Sequence, residues 1–244
     1  MDVTAFAINL DRSTDRWRTL SGQAQEFDLP LIRVSAVDGI GISETEQQAV
    51  NRPAFHRNAG RLMLAAEYGC YRSHLKALHE FLGSQATIGL IIEDDLKLRH
   101  DLYARVEAAF HSTPKAHVIK FFSNRIVGFR RATTSCFGDE IGRAIHGPLG
   151  SSACYAVSRF GAELLINKLA VMCHPWDVAL ERGWDHGAEV YVLRKNIVTV
   201  ARGETTIATR DVYRSVKFPK SKRLGTYVRR LQDDVARIYY TFQA

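Results

Sequence analysis

Short apolar runs alternate with longer amphipathic stretches along this chain. "VTAFAINL" (residues 3–10) is apolar almost throughout and reads as a buried strand. "STDRWRTLSGQAQEF" (13–27) follows with helical character, and Ser13 or Thr14 is placed to cap it. "LPLIRVSAVDG" (29–39) reads as a second strand running into a polar turn. In "AEYGCYRSHLKALHEFLG" (66–83), Tyr68, Tyr71, Leu75, Leu78 and Leu82 fall three or four apart, which predicts a helix stopped by Gly83. "IGLII" (88–92) predicts a strand, "DLYARVEAAFHS" (101–112) a helix and "AHVIKFF" (116–122) another strand. A turn, a strand and a helix are expected over 147–170, and one or two late strands over 188–201. The spans 41–61 and 123–146 are polar or irregular and read as loops able to move over a ligand, the first with a short helix. Strands alternating with helices predict an α/β fold with a largely parallel central sheet.

One strand ends abruptly. "IGLII" is followed at once by Glu93, Asp94 and Asp95. Strand alternation sends Glu93 and Asp95 to one side and Asp94 to the other. In open α/β sheets ligands bind beyond the carboxyl ends of strands. Three adjacent carboxylates repel one another, and a cation would relieve that repulsion. Oxygen ligands of this kind suit Mg²⁺ or Mn²⁺ held together with substrate phosphates. A solvated turn after a strand is the other reading of the same residues.

Charge narrows the class of partner. The net charge is +7, and residues 212–231 carry seven basic side chains and no acid. Without them basic and acidic residues are equal in number. The body is therefore neutral, no nucleic-acid partner is expected, and a C-terminal segment is marked for an anionic contact such as a membrane surface. The expected division is a domain over 1–209 and a basic, helical extension over 210–244. The four cysteines are scattered with no C-x-x-C pair, which signals neither a zinc ribbon nor a redox motif. No stretch approaches the roughly 20 apolar residues of a membrane span. "MDVTAFAINLDRSTDRW" lacks the basic and apolar regions of a secretory signal, so a cytoplasmic location is expected, with peripheral attachment to the inner membrane through the tail. No G-x-G-x-x-G follows the first strand, which disfavours a dinucleotide-binding dehydrogenase.

"INLDRSTDRW", "VSAVDG", "AEYGCYRSHLKALHEF" and "LIIEDDL" resemble, in order and spacing, glycosyltransferase family 25, the lipooligosaccharide-biosynthesis enzymes related to collagen galactosyltransferases. "GSSACYAVSRFGAELLINKL" and "HPWDVAL" resemble later segments of the family. The match thins after Gly187, and Asn196 stands where the family pattern has a proline. The resemblance implies a GT-A-like, Rossmann-type domain that binds a nucleotide-sugar, with a divalent metal at a DxD-type motif. It implies inverting transfer of galactose or glucose from a UDP-sugar to a saccharide or glycolipid acceptor.

Under that resemblance Glu93 and Asp95 are the expected metal ligands, with Asp94 beside them. Asn9, Asp11, Arg12 and Asp38 are expected around the donor nucleoside, with Gly39 letting the turn approach it closely. Arg16 is expected either near the diphosphate or bracing Asp11 or Asp15. Ser73 and His74 are expected to reach the donor. Asp177 is the expected base that deprotonates the acceptor hydroxyl, with Glu181, Asp185 and Glu189 as rivals, and Trp176 is the expected sugar platform. Two other classes remain open: a Mg²⁺-dependent phosphohydrolase, and a non-catalytic protein of the same fold that binds anionic membrane through its tail.

Overall fold

The computed structural model describes residues 1–201 and 210–243, so the expected boundary at residue 209 lies outside the described residues. Along the chain run β1 (Val3–Asn9), α1 (Thr14–Glu26), β2 (Leu31–Ser35), α2 (Arg52–Ala59), α3 (Ala65–Gly83), β3 (Ile88–Glu93), β4 (Leu96–Lys97), α4 (Leu102–Ser112), β5 (Val118–Lys120), β6 (Val127–Thr134), β7 (Glu140–His146), β8 (Cys154–Ser158), α5 (Arg159–Lys168), α6 (Trp176–Leu180), α7 (Gly183–His186), β9 (Val190–Leu193), β10 (Thr199–Val200), α8 (Arg210–Ser215) and α9 (Leu224–Phe242). Eight strands form one sheet in the order β2-β1-β3-β8-β5-β9-β7-β6. Six of the eight point the same way; β7 and β8 are reversed, so the sheet is mixed but mostly parallel in direction.

The interior strands are apolar because both faces of the sheet are covered. Phe6, Ile8 and Ile91 pack with residues of α3 and α5. Ala5, Ala7, Leu90 and Ile92 pack on the opposite face with residues of α1 and α4. A strand buried on both sides reads as a continuous apolar run rather than an alternation. By the same alternation Glu93 leaves β3 on the side of α3.

β1 is flanked by β2 on one side and β3 on the other. The connection after β1 leads to β2, whereas β3 is reached by a return crossover. This reversal is a topological switch point, where the loops leaving neighbouring strands diverge and open a crevice. The register pairs Ile8 with Glu93, so the two strands end level with each other.

Two glycines set one wall of that crevice. A Cβ on Gly39 would lie 1.9 Å from the Ala65 carbonyl oxygen, and one on Gly69 2.5 Å from that of Val37. The close approach that Gly39 permits is therefore to α3. Ser73 Oγ fastens the same contact, accepting from Val37 N at 2.8 Å and donating to Gly69 O at 2.7 Å.

The span 123–146, expected as a mobile loop, contains the β6–β7 hairpin at the sheet edge. β7 is pinned from both sides. Its Arg143 is 3% exposed, donates to the carbonyl of Tyr240 in α9 at 2.6 Å and pairs with Glu189. Tyr240 in turn donates to Ala188 O at 2.8 Å and accepts from Val190 N at 2.7 Å. The end of α9 thus completes the wall around β9. No helix among the described residues is long and apolar enough to cross a membrane.

Gly69→Ala should cost about 1–3 kcal/mol, because backbone on the facing loop cannot yield as a side chain would; urea unfolding measures it, and an unchanged midpoint would show that the loop is not seated on α3. Burial lowers the pKa values of His174 and His186 from 6.5 to about 4. Between those values the unfolded chain binds more protons, so stability is complete above pH 6.5 and is lost as pH falls towards 4. The expected loss is roughly 3 kcal/mol per histidine, read as a pH-dependent urea midpoint whose slope is reduced in His186→Gln.

Candidate functional site

The crevice at the ends of β1 and β3 is a cavity lined by Arg12, Asp38, Ser73, His74 and the three acids Glu93, Asp94 and Asp95, among others. With Arg16 and Gly39, nine of the residues singled out from sequence therefore meet in one place. Their roles differ from one another.

Glu93 is held from the α3 side. Ser152 Oγ donates to its Oε1 at 3.1 Å, and His74 Nε2 lies 3.7 Å from the same oxygen. Burial opposes ionisation, but the hydrogen bonds and charge of His74, with Ser152 and Arg16, outweigh it and hold the Glu93 pKa below its usual value. Asp94 turns towards β1 and α1, accepting from Asn9 Nδ2 at 2.7 Å and lying 3.2 Å from Arg16 Nη1. Asp95 is left least compensated. Its Oδ1 is buried without a hydrogen-bond partner. Burial, with the charge of Glu93 second, raises its pKa to about 6.

Several expected donor contacts turn inward. Asn9 is 1% exposed; besides binding Asp94 it accepts from Arg33 Nε at 2.8 Å and donates to Ser13 O at 3.1 Å. It orients Asp94 and has no exposed group for a nucleoside. Asp11 points outward to Arg33 at 2.8 Å and to Ser35 at 2.9 Å. Those hydroxyl and guanidinium hydrogen bonds keep its carboxyl below the usual range. Ser73 is used up by the loop contact described above. Arg12 and Asp38 form an ion pair across the mouth of the cavity, and both stay about half exposed. Arg16 braces Asp94, not Asp11 or Asp15.

His74 is 1% exposed and both ring nitrogens are engaged inside the protein, Nδ1 at 3.2 Å from the Tyr155 hydroxyl and Nε2 at 3.1 Å from Ser152 Oγ. Its ring stacks on Trp176 with centroids 5.1 Å apart and planes 6° from parallel. Trp176 is itself 2% exposed, and Tyr71 meets it edge-on at 5.1 Å. One face of the ring expected as a sugar platform is stacked on His74, which in turn fixes Glu93, and Trp176 also lines the cavity that holds Asp177.

A second cavity opens behind the first. Its wall includes Glu67, Cys70, Glu93, Asn124, Ser151, Ser152, Asp177 and Tyr213. Glu93 and Cys70 belong to both cavities. Asp177 is thus brought to the back of the acidic cluster across some 84 residues of sequence, on the first turn of α6. Glu181, Asp185 and Glu189 are engaged elsewhere: Glu181 with Arg237 at 2.6 Å, Asp185 with Arg182 at 3.2 Å, and Glu189 with Arg143.

Ser152 and Tyr155 are the residues that sequence reading missed. The one available signal was their place in "GSSACYAVS", where a strand follows a glycine turn; Ser151 there takes a left-handed φ of 60°. Non-glycine residues held in that region concentrate at functional sites.

An α/β sheet with acids at its switch point has them where open sheets of this class bind ligands, at the carboxyl edge of the strands. Residues 2–179 match the sequence pattern of glycosyltransferase family 25 (LPS biosynthesis protein), and the chain belongs to that family. It is similar to procollagen galactosyltransferase 2 of Mus musculus, 26% identical over 117 residues, and of Homo sapiens, 29% identical over 99 residues. Those matches take in 46% and 39% of this chain but only 19% and 16% of the relatives' length. A crystal structure of a glycosyltransferase involved in glycosylation of the major capsid of PBCV-1 aligns over 69% of this chain and 68% of its own, at 10% identity and a TM-score of 0.36. The mixed, mostly parallel sheet covered by helices fits the expected α/β, GT-A-like architecture.

His74→Phe keeps a ring on Trp176 but removes both hydrogen bonds. It should destabilise by about 1–3 kcal/mol, because the Tyr155 hydroxyl loses a partner and Ser152 loses one of two. Urea unfolding of this variant beside wild type measures it; equal stability would reduce His74 to a packing residue.

Proposed function

We propose that the protein is a metal-dependent, inverting hexosyltransferase that moves galactose or glucose from a UDP-sugar to a saccharide acceptor of lipooligosaccharide or lipopolysaccharide. The observation that carries this reading is the shared wall: Glu93 borders both the acidic cavity, suited to a donor diphosphate, and the Asp177 cavity, suited to an acceptor. Family membership supports glycosyl transfer. The relatives' name supports a galactosyl donor, and the family description supports the acceptor class.

The residues present fit a hard divalent cation, Mn²⁺ or Mg²⁺. Glu93 and Asp95 offer only oxygen, and Asp95 carries a buried oxygen with no partner. Among the described residues no group of three or more His, Cys, Asp or Glu side chains forms a cage. Such cations are commonly held by one or two carboxylates together with substrate phosphates and water. When bound, the ion would offset charge on the diphosphate as the sugar–phosphate bond breaks.

The chain's own residues supply the rest. Asn9 and Arg16 keep Asp94 turned to the β1 side, and Ser152 and His74 keep Glu93 ionised and aimed at the boundary between the cavities. Arg12 and Asp38 at the mouth would exchange their mutual contact for contacts to the nucleotide. Asp177, in the second cavity, takes the proton of the acceptor hydroxyl. That oxygen attacks the anomeric carbon on the face away from the diphosphate, whose bond breaks with its electron pair passing to UDP. Inversion follows from this single displacement.

The test is UDP release measured sugar by sugar with Mn²⁺, with Mg²⁺ and with EDTA. One of UDP-galactose and UDP-glucose should be turned over or hydrolysed with metal and not with EDTA; absence of any nucleotide-sugar affinity would sink the reading. Asp177→Asn should lower kcat by about 10²–10⁴ with donor affinity retained, as loss of a general base does. Asp95→Ala should abolish metal-stimulated activity in a protein that still folds.

A further inference from the structure

We propose that α9 docks this protein onto an anionic lipid surface, its exposed apolar stripe facing the bilayer and the lysines that precede it facing lipid phosphates. The helix is built inside out. Its polar side faces the body: Thr226 Oγ1 donates to Arg57 O at 2.7 Å, Asp233 pairs with Arg182 at 2.6 Å, and Arg237 pairs with Glu181 at 2.6 Å. On the opposite side Leu224, Val228, Leu231, Val235, Ile238 and Phe242 recur at alternating spacings of four and three and are 40–71% exposed. That stripe runs the length of the helix, about 27 Å. Tyr227 and Tyr239 border it, 43% and 70% exposed.

A soluble surface does not normally line up six large apolar side chains, so something covers them. Charge identifies the cover. Lys217, Lys220 and Lys222 lead into the exposed N-terminal end of α9, and none has an acidic partner among the described residues. The chain from 212 to 231 carries no acid at all. An amphipathic helix with a wide apolar face, tyrosines at its edge and adjacent lysines matches an anionic bilayer interface. A second copy paired in parallel through the same stripe would bring two lysine clusters side by side, which like charge opposes. The sequence pointed to the basic residues as the contact; the structure makes the apolar stripe the part that enters the interface and the lysines the part that steers it. The proposal does not rest on the transfer reaction, since docking needs no donor.

The whole chain is sedimented with vesicles of phosphatidylethanolamine and phosphatidylglycerol in equal parts, and with phosphatidylcholine vesicles. Binding to the first, weaker binding to the second and release by salt are expected. Leu231→Glu combined with Val235→Glu should lower partition into the anionic vesicles at least about tenfold. Both positions are exposed, so the melting temperature should not move. Lys220→Gln should lower partition by about fivefold. The proposal is overturned by absence of binding to anionic vesicles or by equal binding of the stripe variant. It is also overturned if sedimentation velocity shows a dimer that the stripe variant converts to monomer.

Discussion

The parallel pairing of β1 with β3 is the constraint on which the acidic edge depends. Both strands lie between two apolar layers, so they must stay apolar up to the residue at which they emerge. Their register makes them emerge together, Ile8 opposite Glu93. The abrupt passage from Ile92 to Glu93 is thus the border of the buried sheet, and polar groups can begin there because the chain divergence at the switch point admits solvent and ligand. Two of the residues that hold the acids, Asn9 on β1 and His74 on α3, are placed by those two neighbours of β3.

The three carboxylates are not compensated equally, and that inequality is what makes the edge more than a polar turn. Glu93 receives a hydroxyl and an imidazole, Asp94 an amide and a guanidinium. Asp95 receives neither and keeps a buried oxygen unpaired. Like charges at close range and low dielectric raise the free energy of the last to ionise. The structure has therefore gathered the unfavourable electrostatics of the cluster on one side chain, where an added cation would offset it most. A turn selected only for solubility would have let all three acids point to water.

The sequence made much of this legible, and the reasons for the remainder are physical. Period-two alternation sent Glu93 to one face of its strand, which the structure shows to be the α3 side, and helical spacing placed Ser73 and His74 on one helix. What spacing does not report is how a polar side chain spends its hydrogen bonds. Asn9, Ser73 and His74 line or border the site yet direct their polar atoms to Asp94, the loop at Val37 and Ser152, so residues read as donor contacts hold other residues in place. Ser152 escaped notice because two serines after a glycine look like any turn. The β6–β7 hairpin escaped because its outer strand, "VGFRRATT", is an exposed edge with no apolar face, while β7 hides a buried arginine, Arg143, in what reads as a charged position. Strand direction was also out of reach: β8 follows a turn and carries apolar residues as a parallel strand would, and only its pairing with β3 and β5 shows that it runs backwards.

The C-terminal segment belongs to the same economy of polar contacts. Residues 216–218 lie against 60–62, through Val216 O accepting from Leu62 N at 3.0 Å and Phe218 N donating to Gly60 O at 3.1 Å. That places Tyr213 in the wall of the Asp177 cavity, with Arg61 over its ring at 4.9 Å. Arg61 in turn pairs with Glu67, which accepts from Leu64 N at 3.0 Å and so caps the helix that carries His74. The segment is therefore built into the site before it becomes α9. The helix then turns its polar side inward because the surface it meets is polar: Arg143, Arg182, Glu181 and the Ala144 carbonyl all need partners that an apolar helix face would not provide. Satisfying those groups leaves the apolar residues of α9 on the outside. The same arrangement that seals the wall around β9 thus produces an outward apolar stripe, continuous in the chain with the cavity of Asp177.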